Sequence, residues 1–382
     1  MRSSIIISAL VAVVVGFGGS VAVILAAASS AGANPAETAS WIAMLCVSMM
    51  VTSGTLSIWH RMPIVTAWST PGAALIAASS GLNIGEAVGA FILCAVLLLA
   101  TAAIRPLGRL VGNIPAPIAT AVLAGVLFPF VAKAVLDSST LPELGLPMLA
   151  VFLLVRLWSP SWAVLAVLAG GVVLAIALGM NRPLPPLALS EFTWIDPVFD
   201  LQVMLGVGLP LYLVTMASQN LPGFATLTAS GYTPPSRPIL AVTGAASLLT
   251  APFGAHTTSL AAITASICTG PDAHPDPEKR WLTGPVYAAG YGILAIAAAS
   301  VVAAFDSFPP ELITILAGAA LAAPFVASAS AALKAPDTAF AAALTFVVTA
   351  SGVSFLGVAS AFWGLALGIT LLGVERLIRP TR

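Results

Sequence analysis

Charged side chains are scarce in this 382-residue sequence, which has only 14 Lys and Arg and 14 Asp and Glu, or 7% of its residues. Soluble domains carry about 25% charged residues. Hydrophobic residues reach 59%, and the mean hydropathy is +1.05. The composition therefore predicts a polytopic integral membrane protein whose surroundings are a lipid bilayer. The net charge of zero offers no basic patch, so nucleic-acid binding is not expected.

Cysteines and catalytic motifs are equally sparse. The three cysteines, Cys46, Cys94 and Cys268, lie in apolar segments without CxxC spacing, so neither a disulfide nor a metal site is predicted. The sequence contains no Walker A loop, no HExxH, no GxSxG and no acidic pair at membrane depth. We therefore expect neither an enzyme nor an ATP-driven pump, and no cofactor. A secondary transporter, a channel or a non-transporting receptor stays open.

Apolar segments fill most of the chain between clusters of charged, Pro and Gly residues. A spanning helix needs about 20 mostly apolar residues, although several segments here are shorter. The candidate spans are residues 4–30, 38–59, 63–80, 86–104, 116–135, 143–157, 162–180, 201–228, 238–250, 252–268, 281–303, 310–330, 338–351 and 355–375.

The distribution of Lys and Arg provides an independent test of this count, because both collect in short cytoplasmic loops. With 14 spans and a cytoplasmic N-terminus, only Lys133 and Arg182 fall outside. This bias predicts 14 spans with both termini in the cytoplasm. The other cations all fall inside, namely Arg2, Arg61, Arg105, Arg109, Arg156, Arg237, Lys279, Arg280, Lys334, Arg376, Arg379 and Arg382.

Seven spans per half is an odd number, so a duplicated half would have inverted topology in the membrane. The stretch "TAWSTPGAALIAAS" at 66–79 resembles "TAPFGAHTTSLAAITAS" at 250–266. Each opens with Thr-Ala, continues with a polar or helix-breaking patch and ends in an Ala-rich run. The predicted fold is therefore all-α and polytopic, with 14 transmembrane segments in a seven-plus-seven inverted repeat.

Both stretches interrupt an apolar segment, and each predicts a half-helix, in spans 3 and 10. In the first, Ser69 or Thr70 suits an N-cap and Pro71 suits the first turn, so a helix is expected from about residue 70 after an extended 62–68. In the second, the helix is expected to begin at 256–259. A helix N-terminus carries unpaired N–H groups and a partial positive charge.

Two such termini facing one cavity would form an anion site without a basic residue. The alternative is a pair of kinks satisfied by neighbouring helices. The candidate binding residues on the two breaks are Ser69, Thr70, Gly72, His256, Thr257, Thr258 and Ser259.

Other spans add polar and aromatic candidates. Span 8 contains Tyr212 and the amide pair Gln219 and Asn220, which either bonds helices together or faces a substrate. Span 1 contributes Phe17 as a candidate aromatic wall. His256 is the only histidine predicted at membrane depth, which makes it the proton-coupling candidate; a neutral histidine bonded within the fold is the alternative.

Four stretches together resemble the benzoate:proton symporter family of bacterial inner membranes, and the resemblance runs from the first span to the last. The wider superfamily includes uracil:proton symporters, nucleobase and ascorbate transporters, and sulfate and bicarbonate carriers. The stretches are "TAWSTPGAALI", "LPLYLVTMASQN" followed by "PGFA", "LAAITASIC" leading into "PDAHPDPEKRW", and "TASGVSFLGVASAFWGL".

This resemblance implies a core domain of residues 1–113 and 201–304 and a gate domain of 114–200 and 305–382. It implies a substrate held between the half-helices, with spans 1 and 8 contributing. Gln219 would occupy the span-8 position at which uracil carriers use a glutamate. A neutral amide suits a benzoate carboxylate better than a fixed negative charge.

The expected function is import of benzoate or a related aromatic carboxylate with protons by alternating access, in the bacterial inner membrane. An anion channel, or a carrier of another small organic anion or a nucleobase on the same scaffold, stays open as the alternative. Small residues on the gate-domain spans permit a homodimer through that domain.

Overall fold

The computed structural model describes residues 2–79, 81–104, 115–261 and 263–378. Four cations predicted to face the cytoplasm, Arg105, Arg109, Arg379 and Arg382, lie outside the described residues. The chain is mostly helical. Eight described helices are long and apolar enough to cross a membrane: Ser3–Ser30, Pro35–His60, Ile84–Ala103, Ala116–Thr140, Pro160–Ala177, Leu201–Ala229, Pro277–Asp306 and Pro310–Ala332.

Capping boxes set the starts of two helices, α3 (Pro35–His60) and α5 (Ile84–Ala103), in the first half of the chain. Asn34 with Glu37, and Asn83 with Glu86, form capping boxes in which each side chain accepts a hydrogen bond from the other's backbone N–H. Elements in this half are α1 (Ser3–Gly18), α2 (Val21–Ser30), α3 (Pro35–His60), β1 (Thr66–Trp68), α4 (Thr70–Ala77), α5 (Ile84–Ala103), α6 (Ala116–Thr140), α7 (Pro142–Trp158) and α8 (Pro160–Ala177).

The first predicted span, 4–30, is broken between α1 and α2. The Ser20 hydroxyl donates to the Gly16 carbonyl and accepts from the Trp68 indole N–H, so it holds the break against β1. This break therefore depends on a residue 48 positions away.

The second half follows a similar order, with a strand again preceding a short helix. The last predicted span began at residue 355, but residues 353–358 form a turn instead, with Gly357 at φ +74°, which favours glycine. Elements in this half are α9 (Leu201–Ala229), α10 (Ser236–Thr250), β2 (Thr258–Leu260), α11 (Ile263–Thr269), α12 (Thr283–Asp306), α13 (Pro310–Ala332), α14 (Pro336–Ala350) and α15 (Ser360–Ile378).

Helix α9 contains two π-helical turns, Met204–Gly208 and Met216–Asn220. Pro210 and Pro222 each follow one of them. A proline removes the N–H that would bond the carbonyl four residues earlier, and its ring clashes with that carbonyl. The wider π turn accommodates both effects, and the second one carries Gln219 and Asn220.

The prediction of a purely helical chain is wrong in one respect, since β1 and β2 form a two-stranded antiparallel sheet. The second predicted half-helix start is also wrong. Residues 256–259 do not begin a helix, because Thr258 and Ser259 belong to β2 and α11 starts at Ile263. The backbones of Thr258 and Ser259 pair with β1 instead of entering a helix. A β-branched residue such as Thr258 also suits a strand.

Helix packing falls into two sets. In one, α3 packs on α12 and α10, α10 on α5, and α1 on α12 and α11. In the other, α6 packs on α13 and α14, α14 on α15, and α7 on α8. The extended segment 181–200 joins them, and its backbone N–H groups donate to carbonyls of the first set and its loops, namely Arg182 to Ser307, Ser190 to Ile296, Ile195 to Pro252 and Val198 to Gly85.

Candidate functional site

The two breaks in the chain meet in the interior as the β1–β2 pair. Thr66 lies opposite Leu260, Ala67 opposite Ser259 and Trp68 opposite Thr258. The Ser259 hydroxyl donates to the Ala67 carbonyl at 3.2 Å. The two segments, about half the chain apart, therefore form one unit.

Ser69 is the N-cap of α4, and it is one of the two caps that the sequence offers. Its hydroxyl accepts a hydrogen bond from the Gly72 N–H at 3.1 Å, and Pro71 occupies the first turn. A Cβ on Gly72 would lie 2.5 Å from the Leu211 side chain, so glycine lets α4 approach α9 closely. Ser69 is fully buried and Thr70 only half-buried. Ser69 therefore caps the helix, while Thr70 is the more accessible hydroxyl.

His256 connects the second break to the first. It is fully buried, with its Nδ1 3.1 Å from the Trp41 indole nitrogen and its Nε2 3.0 Å from the Ser69 carbonyl oxygen. An indole nitrogen only donates, so Nδ1 must accept, which places the ring proton on Nε2, where it bonds Ser69. In a neutral His256, both ring nitrogens thus have hydrogen-bond partners. This is the alternative in which His256 is a neutral histidine bonded within the fold.

Protonation of His256 would place a hydrogen on Nδ1 directly against the Trp41 N–H. The proton-coupling role predicted for His256 therefore requires the bond between these two side chains to break.

A row of hydroxyls on α3 supports the strands, and sequence analysis missed it. Thr52 and Ser53 each bond the Thr66 hydroxyl at 2.7 Å, and Ser53 also accepts from the Thr66 N–H. Ser48 bonds the Thr258 hydroxyl at 2.6 Å. Their spacing in "SMMVTSGTLS", 48–57, places them on one helix face, which was the available signal.

Helix α10 supports β2 from the other side. The Ser247 hydroxyl accepts from the Thr258 N–H at 2.9 Å. Irregular backbone at membrane depth needs such partners, because lipid provides none. Side chains of α3 and α10 thus replace the partners that a wider sheet would supply.

The two neighbouring amide side chains of α9, Gln219 and Asn220, make different contacts. Asn220 is buried, and its Oδ1 accepts from the Leu260 N–H at 3.0 Å, so it holds β2 against α9. Gln219 is half-buried, and its side chain hydrogen-bonds to none of the residues that the structure describes. Of the two amides, Gln219 is the one free to bind a ligand.

The Thr257 hydroxyl is buried without a hydrogen-bond partner of ordinary strength among the described residues. The Cys94 thiol, a weak hydrogen-bonding group, lies beside it. A buried hydroxyl left in this way needs an explanation, and a bound ligand is one.

A cluster of aromatic side chains packs around β1. Phe17 lies 5.6 Å from the Trp68 ring, and Trp68 lies edge-on to Tyr291 at 6.2 Å. The Tyr287 hydroxyl donates to the Thr66 carbonyl at 2.9 Å. Phe17, the candidate aromatic wall, therefore lies beside the first break.

Tyr212 does not join the other candidates. It faces α5, where its hydroxyl bonds the Thr101 hydroxyl at 2.5 Å. The helical geometry of α9 separates it from Gln219 by about two turns. The structure thus gives it a role in packing α9 on α5.

The side chains assembled here are all neutral in the hydrogen bonds described above. An anion bound here would therefore be held by the helix dipole of α4 and by hydrogen bonds. Among the described residues, no group of three His, Cys, Asp or Glu could hold a metal ion.

Comparison with known proteins gives the relatives of this chain. The family described as benzoate membrane transport protein matches residues 1–374. The Inner membrane protein YdcO of Escherichia coli (strain K12) is 38% identical over 381 residues, covering 98% of this chain and 96% of that protein. The Benzoate membrane transport protein of Acinetobacter baylyi is 35% identical over 376 residues, covering 98% and 95%.

Solved structures share the fold. The transmembrane domain of the cyanobacterium bicarbonate transporter BicA matches with a TM-score of 0.59 at 15% identity, covering 100% of this chain and 99% of that one. SLC26A9 matches with a TM-score of 0.68 at 12% identity, covering 98% of this chain and 66% of that one. The protein is a membrane transporter rather than an enzyme, and the chain belongs to the benzoate membrane transport protein family.

Proposed function

We propose that this transporter imports benzoate or a related aromatic carboxylate together with protons by alternating access. The observation that most supports this proposal is the start of α4, which Ser69 caps. His256, from the other half of the chain, holds this helix start in the interior. A helix N-terminus favours a negative charge by about 0.3–1 kcal/mol, and by more where it is partly buried. The Acinetobacter relative, which is named for benzoate, supports the substrate class.

In this proposal the carboxylate binds beside the start of α4, near Thr70 and Gly72. The Gln219 amide and the Thr257 hydroxyl supply hydrogen bonds, and Phe17 lies against the aromatic ring. The remaining candidates hold this arrangement in place rather than touch the substrate. They are Ser69, Asn220, His256, Thr258 and Ser259.

The architecture we propose is the seven-plus-seven inverted repeat, with 14 spans, half-helices in spans 3 and 10, and both termini in the cytoplasm. Two units, each a strand followed by a short helix, support the inverted repeat. Their strands, β1 and β2, begin 192 residues apart, at Thr66 and Thr258. The two sets of packed helices support a core domain of residues 1–113 and 201–304 and a gate domain of 114–200 and 305–382. A homodimer through the gate domain belongs to the same proposal.

The core would move against the gate to expose the site alternately. A cavity of about 190 Å³ lies between α9 of the core and α6 and α15 of the gate, which supports a separable boundary there. Its lining is apolar apart from the hydroxyls of Thr120 and Ser218.

The test is uptake of labelled benzoate by purified protein in liposomes. We expect saturable uptake that is accelerated when the outside is made acidic relative to the lumen, and accumulation that a protonophore abolishes. Uptake without saturation and without proton movement would instead identify an anion channel. Absence of any pH-driven benzoate flux in protein that remains folded contradicts the proposal.

A further inference from the structure

A large cavity lies between the two sets of helices. Its volume is about 780 Å³. Helix α2 and the end of α4 line one side, and α6 and the start of α13 line the other. Lys133 and Arg182, the only two cations predicted to lie outside, both face it.

The two cations differ in their partners. Lys133 forms an ion pair with Asp137 at 3.4 Å, and Asp137 also accepts a hydrogen bond from the Thr314 hydroxyl. The Arg182 guanidinium is exposed, and it makes no ion pair or hydrogen bond with the residues that the structure describes. Arg182 is therefore the cation available to an incoming anion.

Backbone contacts fix Arg182 at the cavity. Its N–H donates to the Ser307 carbonyl at 2.8 Å, which anchors this end of the extended segment on α12. The cavity wall also contains three phenylalanines, Phe130, Phe305 and Phe308. A cavity lined by both a guanidinium and aromatic rings suits a ligand with a carboxylate at one end and a ring at the other.

Asp306 opposes this attraction. It lines the same cavity, is exposed, and forms no ion pair among the described residues. A negative charge near the guanidinium lowers the local affinity for an anion, although water and salt screen the effect.

We infer that this cavity is an outer subsite in which Arg182 captures an aromatic carboxylate before it reaches the half-helices, an inference that rests on the proposed function. Arg182 supplies the charge and the three phenylalanines supply the ring surface. Asp306 weakens the capture and so keeps the anion from being retained there.

The test measures initial rates of labelled benzoate uptake in right-side-out membrane vesicles at low ionic strength. Arg182→Gln raises KM by about threefold, the size expected for an exposed charge contact, with an unchanged maximal rate. Asp306→Asn lowers KM, and Arg182→Lys largely restores the wild-type value. In about 0.5 M salt the differences disappear, because screening then acts within a few ångströms.

The matched control is Lys334→Gln, which removes an exposed cation outside the cavity lining. Its KM stays at the wild-type value. The inference is overturned if Arg182→Gln leaves KM unchanged at low salt, if it lowers only the maximal rate, or if Lys334→Gln raises KM equally. Wild-type vesicles that take up no benzoate would instead contradict the proposed function itself.

Discussion

At the scale of single residues, the His256 side chain adds a contact between the two breaks beside the pairing of β1 with β2. Its two ring nitrogens bond Trp41 and the Ser69 carbonyl, so neither is left for a proton or a ligand. Ser69 is likewise used twice, as the cap of α4 and as the acceptor for His256. Ser69 and His256 are thus neutral groups whose hydrogen bonds are complete, whereas the Thr257 hydroxyl has no hydrogen-bond partner of ordinary strength among the described residues.

We predict that His256→Gln lowers benzoate exchange and proton-driven accumulation by similar factors. The Gln amide can still reach the Ser69 carbonyl, but the buried Trp41 N–H is left unpaired, which costs about 1–3 kcal/mol. Counterflow and gradient-driven uptake in the same liposomes measure the two activities. His60→Gln is the control, because His60 Nε2 bonds nothing in the described chain.

A different result would assign the proton to His256. If His256→Gln abolishes accumulation while exchange continues at the wild-type rate, the residue carries the coupling proton and the structural role alone is insufficient.

At the scale of elements, β1 and β2 are short strands whose outer partners are helix side chains. The α3 hydroxyls bond β1 and Thr258, and Ser247 of α10 bonds the Thr258 backbone. A two-stranded sheet is marginally stable alone, so these hydroxyls are part of what keeps the strands extended. Half-helices without this support would leave backbone groups unpaired in the membrane.

We predict that Ser53→Ala lowers the thermal midpoint in detergent by roughly 2–5 °C, because the buried Thr66 N–H loses its acceptor. Ser328→Ala is the matched control. Ser328 is also buried, but its hydroxyl bonds only the Pro324 carbonyl of its own helix. Equal midpoints for the two variants would show that the α3 hydroxyls do not stabilise β1.

At the scale of the whole molecule, the described helices form two packed sets joined by loops and by the extended segment 181–200. Backbone bonds from this segment to the Ser307, Ile296 and Gly85 carbonyls tie it to the α12 side of the molecule. If one set moves against the other, we expect this segment to move with α12.

The proposed orientation predicts which surfaces reagents can reach. A membrane-impermeant maleimide should label Ser139→Cys in intact cells, and Lys334→Cys only after permeabilisation. Both positions are exposed, and the three native cysteines are buried, so background labelling stays low. Labelling of Lys334→Cys in intact cells would overturn the topology derived from the charges.

The start of α4 could be predicted because the rules that govern it are local. A capping serine and a proline in the first turn act within about three residues, so the start of α4 at Thr70 follows from "WSTPG". The start of α11 could not be predicted in this way. Residues 256–259 resemble the start of a helix by themselves, and only β1, far away in the sequence, makes Thr258 and Ser259 a strand.

By itself, then, the sequence determined the membrane environment, the order of the apolar segments and the capped helix at Ser69, since hydropathy and capping depend on neighbouring residues. The tertiary structure decided the pairing of β1 with β2, the hydroxyl support from α3, the two bonds of His256 and the separation of Tyr212 from the site. These features depend on contacts between residues up to 215 positions apart, as from Trp41 to His256, and such contacts exist only once the helices have packed.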